Sequence, residues 1–193
     1  MRRAIIIGPL LALTACVKEE LPVPVASRGA AIDHRVCMGT GYSQQIWFDV
    51  GTNAVVAENE RGVWDLAFES APDGWHVMLN GSRLMTAWDV SATDITAPHD
   101  TLGMHAGRRI DMPSGNPDST AIGDWRNTGE VTVLDLGYSA AGDHLGLRKV
   151  RFDGMDATSF SFASAALDGS DVRSHVVTKD PTRTYSYFSF ATG

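Results

Sequence analysis

Hydrophobic and polar residues alternate along most of the chain after about residue 44, and the alternation predicts β-strands. In the stretch WDLAFE at residues 64–69, aromatic and aliphatic side chains occupy one set of alternate positions, and Asp, Ala and Glu occupy the other. Successive side chains of a strand point to opposite faces, so this pattern is typical of a half-buried strand. The stretch WHVMLN at residues 75–80 repeats the pattern after the turn sequence PDG, and the two stretches therefore predict an antiparallel hairpin.

Further runs of the same kind predict a sheet-rich protein. A second hairpin is expected around the sequence GTN, because Gly and Asn adopt the positive φ angles that tight turns require. No stretch keeps apolar residues at positions i, i+3, i+4 and i+7 over the length of a long helix. We therefore expect a mainly β fold of multi-stranded antiparallel sheets. The other predicted strands are residues 45–50, 54–58, 83–90, 131–136, 146–152, 158–163, 172–178 and 184–190.

One long part of the chain lacks this periodicity. Residues 91–129, here called the 91–129 segment, contain three prolines and several glycines and keep no sustained pattern. The sequence predicts an irregular excursion with at most a short helix. Loops of this length in a compact domain are usually mobile or functional, so we expect the segment to be free to contact a ligand.

The beginning of the chain has the order of a secretory signal. The cationic start MRR precedes an apolar run at residues 4–12, which is shorter than the roughly 20 residues that a membrane-spanning helix needs. The sequence LTAC that follows looks like a bacterial lipobox, which predicts cleavage after residue 15 and a lipid on Cys16. The alternative is an ordinary cleaved signal followed by an unrelated cysteine. Acyl chains on Cys16 would hold the protein at a membrane.

The predicted domain organisation follows from this beginning. Residues 1–15 form the signal peptide, residues 16–28 form the lipidated cysteine and a tether, and residues 29–193 form one β domain. Pro22 and Pro24 favour an extended tether, although an irregular first strand is an alternative.

Charge and cysteine content exclude some functions. The chain has a net charge of −7, and removal of Arg2 and Arg3 with the signal leaves −9. A nucleic-acid-binding protein would show a basic stripe, and none is visible. Cys37 is the only cysteine besides Cys16, so the mature domain has no internal disulfide. We expect Cys37 to be a small buried residue rather than a reactive thiol.

Several short sequences carry a resemblance that extends through nearly the whole mature chain. They are MG at 38–39 with Tyr42, IWFDV at 46–50, WDLAFE at 64–69, WHVMLN at 75–80, DSTAIG at 118–123 and YFSF at 187–190. Together they resemble the HmuY-like family of bacterial lipoproteins, whose best-known members are hemophores. The resemblance implies an all-β domain that is lipid-anchored at the outer membrane, on its periplasmic or cell-surface face. It also implies capture of haem b for iron acquisition, with haem-carrying host proteins or an outer-membrane haem receptor as partners.

The family binds haem between two axial His or Met side chains, and these positions are not matched residue by residue in this chain. Haem iron accepts an imidazole nitrogen or a thioether sulfur, and its propionates favour arginine. The 91–129 segment offers this chemistry. The axial-ligand candidates are His99, His105, Met104 and Met112, and the propionate-contact candidates are Arg108 and Arg109.

Interpretations of these residues without a bound haem remain open. His99 and His105 could be exposed loop residues, and the two arginines could offset an acidic surface. Zinc held by the two histidines and a carboxylate is a further, unspecific possibility. The other histidines, His34, His76, His144 and His175, are weaker ligand candidates, and a cross-strand packing role is expected for His76.

The chain is not expected to be an enzyme. The sequence DST at residues 118–120 places a hydroxyl beside a carboxylate, but no glycine-flanked nucleophile and no paired metal-ligand histidines accompany it. This sequence is more simply a turn or a helix N-cap.

The alternative function is that of an HmuY-like surface lipoprotein that binds no haem and serves as a protein- or glycan-binding module. Trp88 and Trp125 would then be its exposed aromatic residues. Trp64 would fill the core, and Asp65 would bond backbone groups at a sheet corner.

Overall fold

The computed structural model describes residues 22–25, 29, 32–39 and 41–193. The predicted signal peptide, Cys16 and most of the predicted tether lie outside the described residues. Within the described part, a compact unit comprises Val36–Gly193, and the residues before it have no regular secondary structure. None of the helical turns in the described ranges has the length and apolar character needed to cross a membrane.

The prediction of a mainly β fold is confirmed. The strands are β1 (Gln44–Asp49), β2 (Ala54–Glu60), β3 (Leu66–Glu69), β4 (Val77–Leu79), β5 (Thr86–Asp89), β6 (Val131–Asp135), β7 (Leu147–Met155), β8 (Ser159–Ala165), β9 (Arg173–Thr178) and β10 (Tyr185–Phe188). The helical elements of the described chain are short 3₁₀ turns at Gly81–Arg83, Met104–Gly107 and Pro117–Ser119.

The strands form three antiparallel sheets. β1 and β2 form a separate hairpin, β10, β3 and β4 form a three-stranded sheet in that order, and β5 to β9 form a five-stranded meander. Both hairpins expected from the sequence are present, and in the β3–β4 hairpin Phe68 lies opposite Val77 and Leu66 opposite Leu79. Opposite residues share a face, so these apolar pairs put one side of the hairpin into the core.

The main core lies where the three-stranded and five-stranded sheets meet. Phe68 of β3 lies 4.9 Å from Phe160 and 5.5 Å from Phe162 of β8, measured between ring centroids. Aromatic rings at these separations contribute beyond the area that they bury. β3 differs from the predicted half-buried strand, because Ala67 and the preceding Asp65 are buried as well. Asp65 forms an ion pair with Arg83 there.

The 91–129 segment is irregular, as predicted, with two 3₁₀ turns and a single β-bridge between Ala87 and Arg109. The segment packs on the core more than its lack of periodicity suggested, since five of its apolar side chains are buried. These are Ile95, Met104, Ala121, Ile122 and Trp125. Their spacing fits neither a strand nor a helix, so no periodic signal in the sequence marks them as core residues.

The placements of four single residues also differ from expectation. Trp88 and Trp125 are only 5% and 8% exposed, because Trp88 packs with Met104 and Trp125 packs on the aromatic core. Trp64 is half-buried, with its ring 5.2 Å from that of Tyr187. Cys37 is exposed rather than buried.

Candidate functional site

A cleft of about 330 Å³ lies between the end of β5 and the first half of the 91–129 segment. It contains two of the four predicted axial ligands, His99 and Met104. The lining also includes apolar Trp88, Val90 and Leu102 and the carboxyl groups of Asp89 and Asp100. The cleft is therefore the place where the structure brings some of the predicted site residues together.

Two nitrogen atoms of the cleft residues are buried without a hydrogen-bond partner in the described chain. They are Nε2 of His99 and Nε1 of Trp88. A buried polar atom without a partner costs about 1–3 kcal/mol, so native proteins rarely keep one unless a ligand or water uses it. Two residues that line the cleft therefore have unused bonding capacity. Trp88 Nε1 can only donate, whereas His99 Nε2 can donate, accept or coordinate a metal.

Met104 lies at the start of the 3₁₀ turn Met104–Gly107 and is buried against Trp88 and Val133. The thioether thus adds an apolar, polarizable group to a cleft that already holds an imidazole.

The loop that carries His99 is held firmly on the five-stranded sheet. The backbone N–H of His99 donates to the Leu167 carbonyl over 2.9 Å. The fully buried Lys149 of β7 donates from Nζ to the Ala97 carbonyl over 2.6 Å. Gly169 comes so close to Thr96 that a Cβ atom there would lie 1.8 Å from the Thr96 carbonyl oxygen. These contacts fix the backbone from Thr96 to His99.

Lys149 has an unusual environment for a charged group. Burial lowers the pKa of its ammonium, while the charges of Asp168 and Asp94 act in the opposite direction. Its bond to Ala97 therefore ties the beginning of the 91–129 segment to the sheet at an electrostatic cost.

The other predicted ligands are not in the cleft. His105 and Met112 are both exposed, and neither is among the residues that line it. His105 follows Met104 in the same 3₁₀ turn but lies on its solvent side. Met112 belongs to a later loop, where its backbone N–H donates to the Ser119 carbonyl over 3.1 Å.

The two arginines predicted to contact the propionates have different environments. Arg109 forms a two-pronged ion pair with Asp89 over 2.6 and 2.7 Å, and its Nε donates to the Ala121 carbonyl over 2.6 Å. The hydrogen bond with Asp89 raises the pKa of Arg109, and burial only partly opposes it. Its donors are thus engaged within the protein. Arg108 is exposed and makes no ion pair within the described ranges.

Sequence reasoning missed a cluster at the other end of the 91–129 segment. His76 contacts Glu69 through Nδ1 and Asp118 through Nε2, so it is more than the cross-strand packing residue that was expected. Asp118 lies within the 3₁₀ turn Pro117–Ser119, whose N-cap is Asn116. The Glu69 contact crosses a predicted hairpin and could have been inferred from the register. The Asp118 contact joins positions 42 apart and had no sequence signal.

A larger groove of about 610 Å³ lies beside this cluster, lined by residues 125–129 and 152–155. It contains Trp125, Phe152 and Met155, but the described residues show no buried polar side-chain atom without a partner in its lining.

In the described chain, no group of three or more His, Cys, Asp or Glu side chains is arranged to hold a metal ion. Comparisons with protein-family models, with curated proteins and with solved structures give no match to this chain.

Proposed function

We propose that this chain is a lipid-anchored, haem-binding lipoprotein of the outer membrane, hemophore-like and HmuY-like, that captures haem for iron acquisition. The observation that carries the proposal is His99, which lines the cleft together with Met104 and whose Nε2 is buried without a hydrogen-bond partner in the described chain. Imidazole nitrogen and thioether sulfur are both common axial ligands of haem iron.

The residues of the cleft fit the chemistry of haem. His99 would be the iron ligand, and Met104 would be a second ligand or part of the wall. Trp88 and Leu102 would pack on the apolar ring of the haem. The iron would supply the positions at which axial side chains coordinate. Arg108 is the exposed arginine that remains to pair with a propionate, because Arg109 is held by Asp89.

The proposed location at the outer membrane is supported by the sequence. The signal-like beginning and the lipobox-like LTAC support lipidation at Cys16, and the prolines after it support a tether. A net charge of −9 after cleavage is compatible with a soluble domain displayed beside a membrane.

The test is a hemin titration of a lipid-free form of Val36–Gly193, followed by its Soret absorption. We expect a shifted Soret band at micromolar hemin, because the unpartnered imidazole coordinates the iron. The variant His99→Ala should lose the shift, and Met104→Leu, which keeps the volume of the side chain and removes the sulfur, should change the spectrum. The variants His105→Ala and Met112→Leu are matched controls at exposed positions and should leave the spectrum unchanged.

An unshifted wild-type spectrum, or a shift that survives His99→Ala, would contradict the proposal. In that case the groove of about 610 Å³ beside Trp125 would favour the alternative function, a haem-free protein- or glycan-binding module. Soluble glycans or peptides that perturb Trp125 fluorescence would then identify the ligand class.

A further inference from the structure

The imidazole of His76 lies between two carboxyl groups that belong to different parts of the fold. Nδ1 lies 2.5 Å from Oε2 of Glu69, at the end of β3. Nε2 lies 3.1 Å from Oδ1 of Asp118, in the 91–129 segment. His76 itself is 9% exposed, so water has little access to its ring.

The contact with Glu69 fixes a proton on Nδ1. Oε2 of Glu69 also accepts the backbone N–H of Trp75 over 3.1 Å and that of His76 over 3.3 Å. Burial works to raise the pKa of Glu69, but the hydrogen bonds from His76 and Trp75 outweigh it and bring that pKa below its ordinary value. Glu69 is therefore an ionised carboxylate that only accepts, and Nδ1 must donate to it.

The contact with Asp118 then depends on the second nitrogen. A neutral imidazole with its proton on Nδ1 has only a lone pair on Nε2, and a carboxylate also has only acceptors. The side chain of Asp118 is 75% exposed, so water solvates its carboxylate. Two acceptors 3.1 Å apart do not form a hydrogen bond, so the contact requires a second proton on His76.

We propose that the His76–Asp118 contact is a proton-dependent latch that holds residues 112–119 against the hairpin formed by β3 and β4. The latch closes when His76 takes up its second proton and opens as the pH rises and the imidazole becomes neutral. It is independent of haem binding.

The latch acts between two fixed points of the segment. Asp111 accepts the backbone N–H groups of Leu79 and Ala121, each over 2.7 Å, and so anchors the two ends of the loop. Between these anchors, Asp118 supplies the side-chain contact with His76, while the remaining hydrogen bonds of residues 112–119 are internal to the loop. Opening the latch therefore frees this loop and leaves its ends in place.

The other charges around His76 are held by partners of their own. Trp75 stacks on the His76 ring at 3.9 Å and carries Arg126 on its ring, also at 3.9 Å. Arg126 is paired with Asp124, whose pKa is lowered chiefly by that hydrogen bond and slightly by the charge of His76. Lys179, whose charge acts on Glu69, donates to three backbone carbonyls. Asp118 is thus the group that responds directly to the proton on Nε2.

The experiment is hydrogen exchange of the full chain in detergent micelles, at about pH 5 and about pH 8.5. Exchange rates are converted to protection factors, which removes the intrinsic effect of pH. Wild-type amides at residues 112–119 should be about two- to fivefold more protected at the lower pH, the range of a partly exposed ion pair. Amides of β8 serve as the internal reference.

Two substitutions at the exposed Asp118 separate the latch from general stability. Asp118→Ala removes the acceptor and should give low protection at both pH values. Asp118→Asn places an amide N–H that can donate to neutral Nε2, so protection should persist at the higher pH. Equal wild-type protection at both pH values, or an Asp118→Asn variant as pH-dependent as wild type, would overturn the proposal.

Discussion

The ammonium of Lys179 lies 4.8 Å above the centroid of the Phe160 ring, inside a cage of backbone carbonyls. Nζ donates to the carbonyls of Ala71, Pro72 and Gly74 over 2.9, 3.2 and 2.8 Å. Burial lowers the pKa of this ammonium, although nearby carboxylates oppose the effect. The cage ties β9 to the turn of the β3–β4 hairpin and so joins two sheets.

Replacement of Lys179 by Met should therefore destabilise the fold. Three carbonyls, of which that of Gly74 is buried, would lose their donor, which should lower the free energy of unfolding by about 1–3 kcal/mol. Urea denaturation followed by tryptophan fluorescence measures the loss. The control is Arg183→Met, since Arg183 is exposed and its substitution should change stability by less than about 0.5 kcal/mol. Equal effects of the two substitutions would contradict the role of the cage.

Substitution of Asp65 should destabilise the fold at least as much as substitution of Lys179. It is 2% exposed, pairs with Arg83 and accepts the backbone N–H of Phe190 over 2.8 Å. Asp65→Ala would leave a half-buried guanidinium without its partner, at a cost of about 3–5 kcal/mol.

The double variant Asp65→Ala/Arg83→Ala tests this reason. The double variant also removes the guanidinium, so its loss of stability should be clearly less than the sum of the losses in the two single variants. Additive losses in thermal or urea unfolding would show that the ion pair is not the source of the effect.

His175 predicts a dependence of stability on pH. Its Nε2 lies 2.9 Å from Oγ of Ser164, which also accepts a hydrogen bond from Nε of Arg148. Burial lowers the pKa of His175, and the charges of Arg148 and Arg173 lower it further. The unfolded chain therefore binds a proton more readily than the folded chain, and stability falls as the pH drops below about 6.5.

The variant His175→Gln removes this titration and keeps a hydrogen-bonding side chain. Its urea midpoint should fall less than that of wild type between about pH 7 and about pH 5. Parallel decreases in the two proteins would contradict the assignment to His175.

Gly169 should be the least replaceable glycine near the candidate cleft. It has a φ of +86°, and a Cβ atom would clash with the Thr96 carbonyl. Gly142 has a similar φ of +93°, but a Cβ atom there would meet no atom within 4 Å. Both Ala substitutions carry the backbone cost of about 1–2 kcal/mol, and Gly169→Ala must also displace the loop that positions His99.

Hydrogen exchange at the His99 amide distinguishes the two variants. Gly169→Ala should speed its exchange, because the bond to the Leu167 carbonyl depends on the docked loop. Gly142→Ala should leave it unchanged. Unchanged exchange in Gly169→Ala would show that the loop is positioned by other contacts.

The strands were predictable because their signal is local. Alternation around Leu66 and Phe68, and the turn sequence before Trp75, placed the β3–β4 hairpin with nearly its observed boundaries. Asp65 was expected to bond backbone groups, and its carboxylate accepts the N–H of Phe190. Trp88 and Trp125 were assigned wrongly, because the sequence does not show that the 91–129 segment folds back over them.

The sequence by itself determined the antiparallel β class and the segment that carries the candidate ligands, since both follow from residue types and spacings within short stretches. Only the tertiary structure decided that His99 and Met104 share a cleft while His105 and Met112 face solvent, and that His76 meets Asp118. An irregular loop has no period that orients its side chains. Their meeting is set by buried contacts with distant strands, such as Lys149 with Ala97.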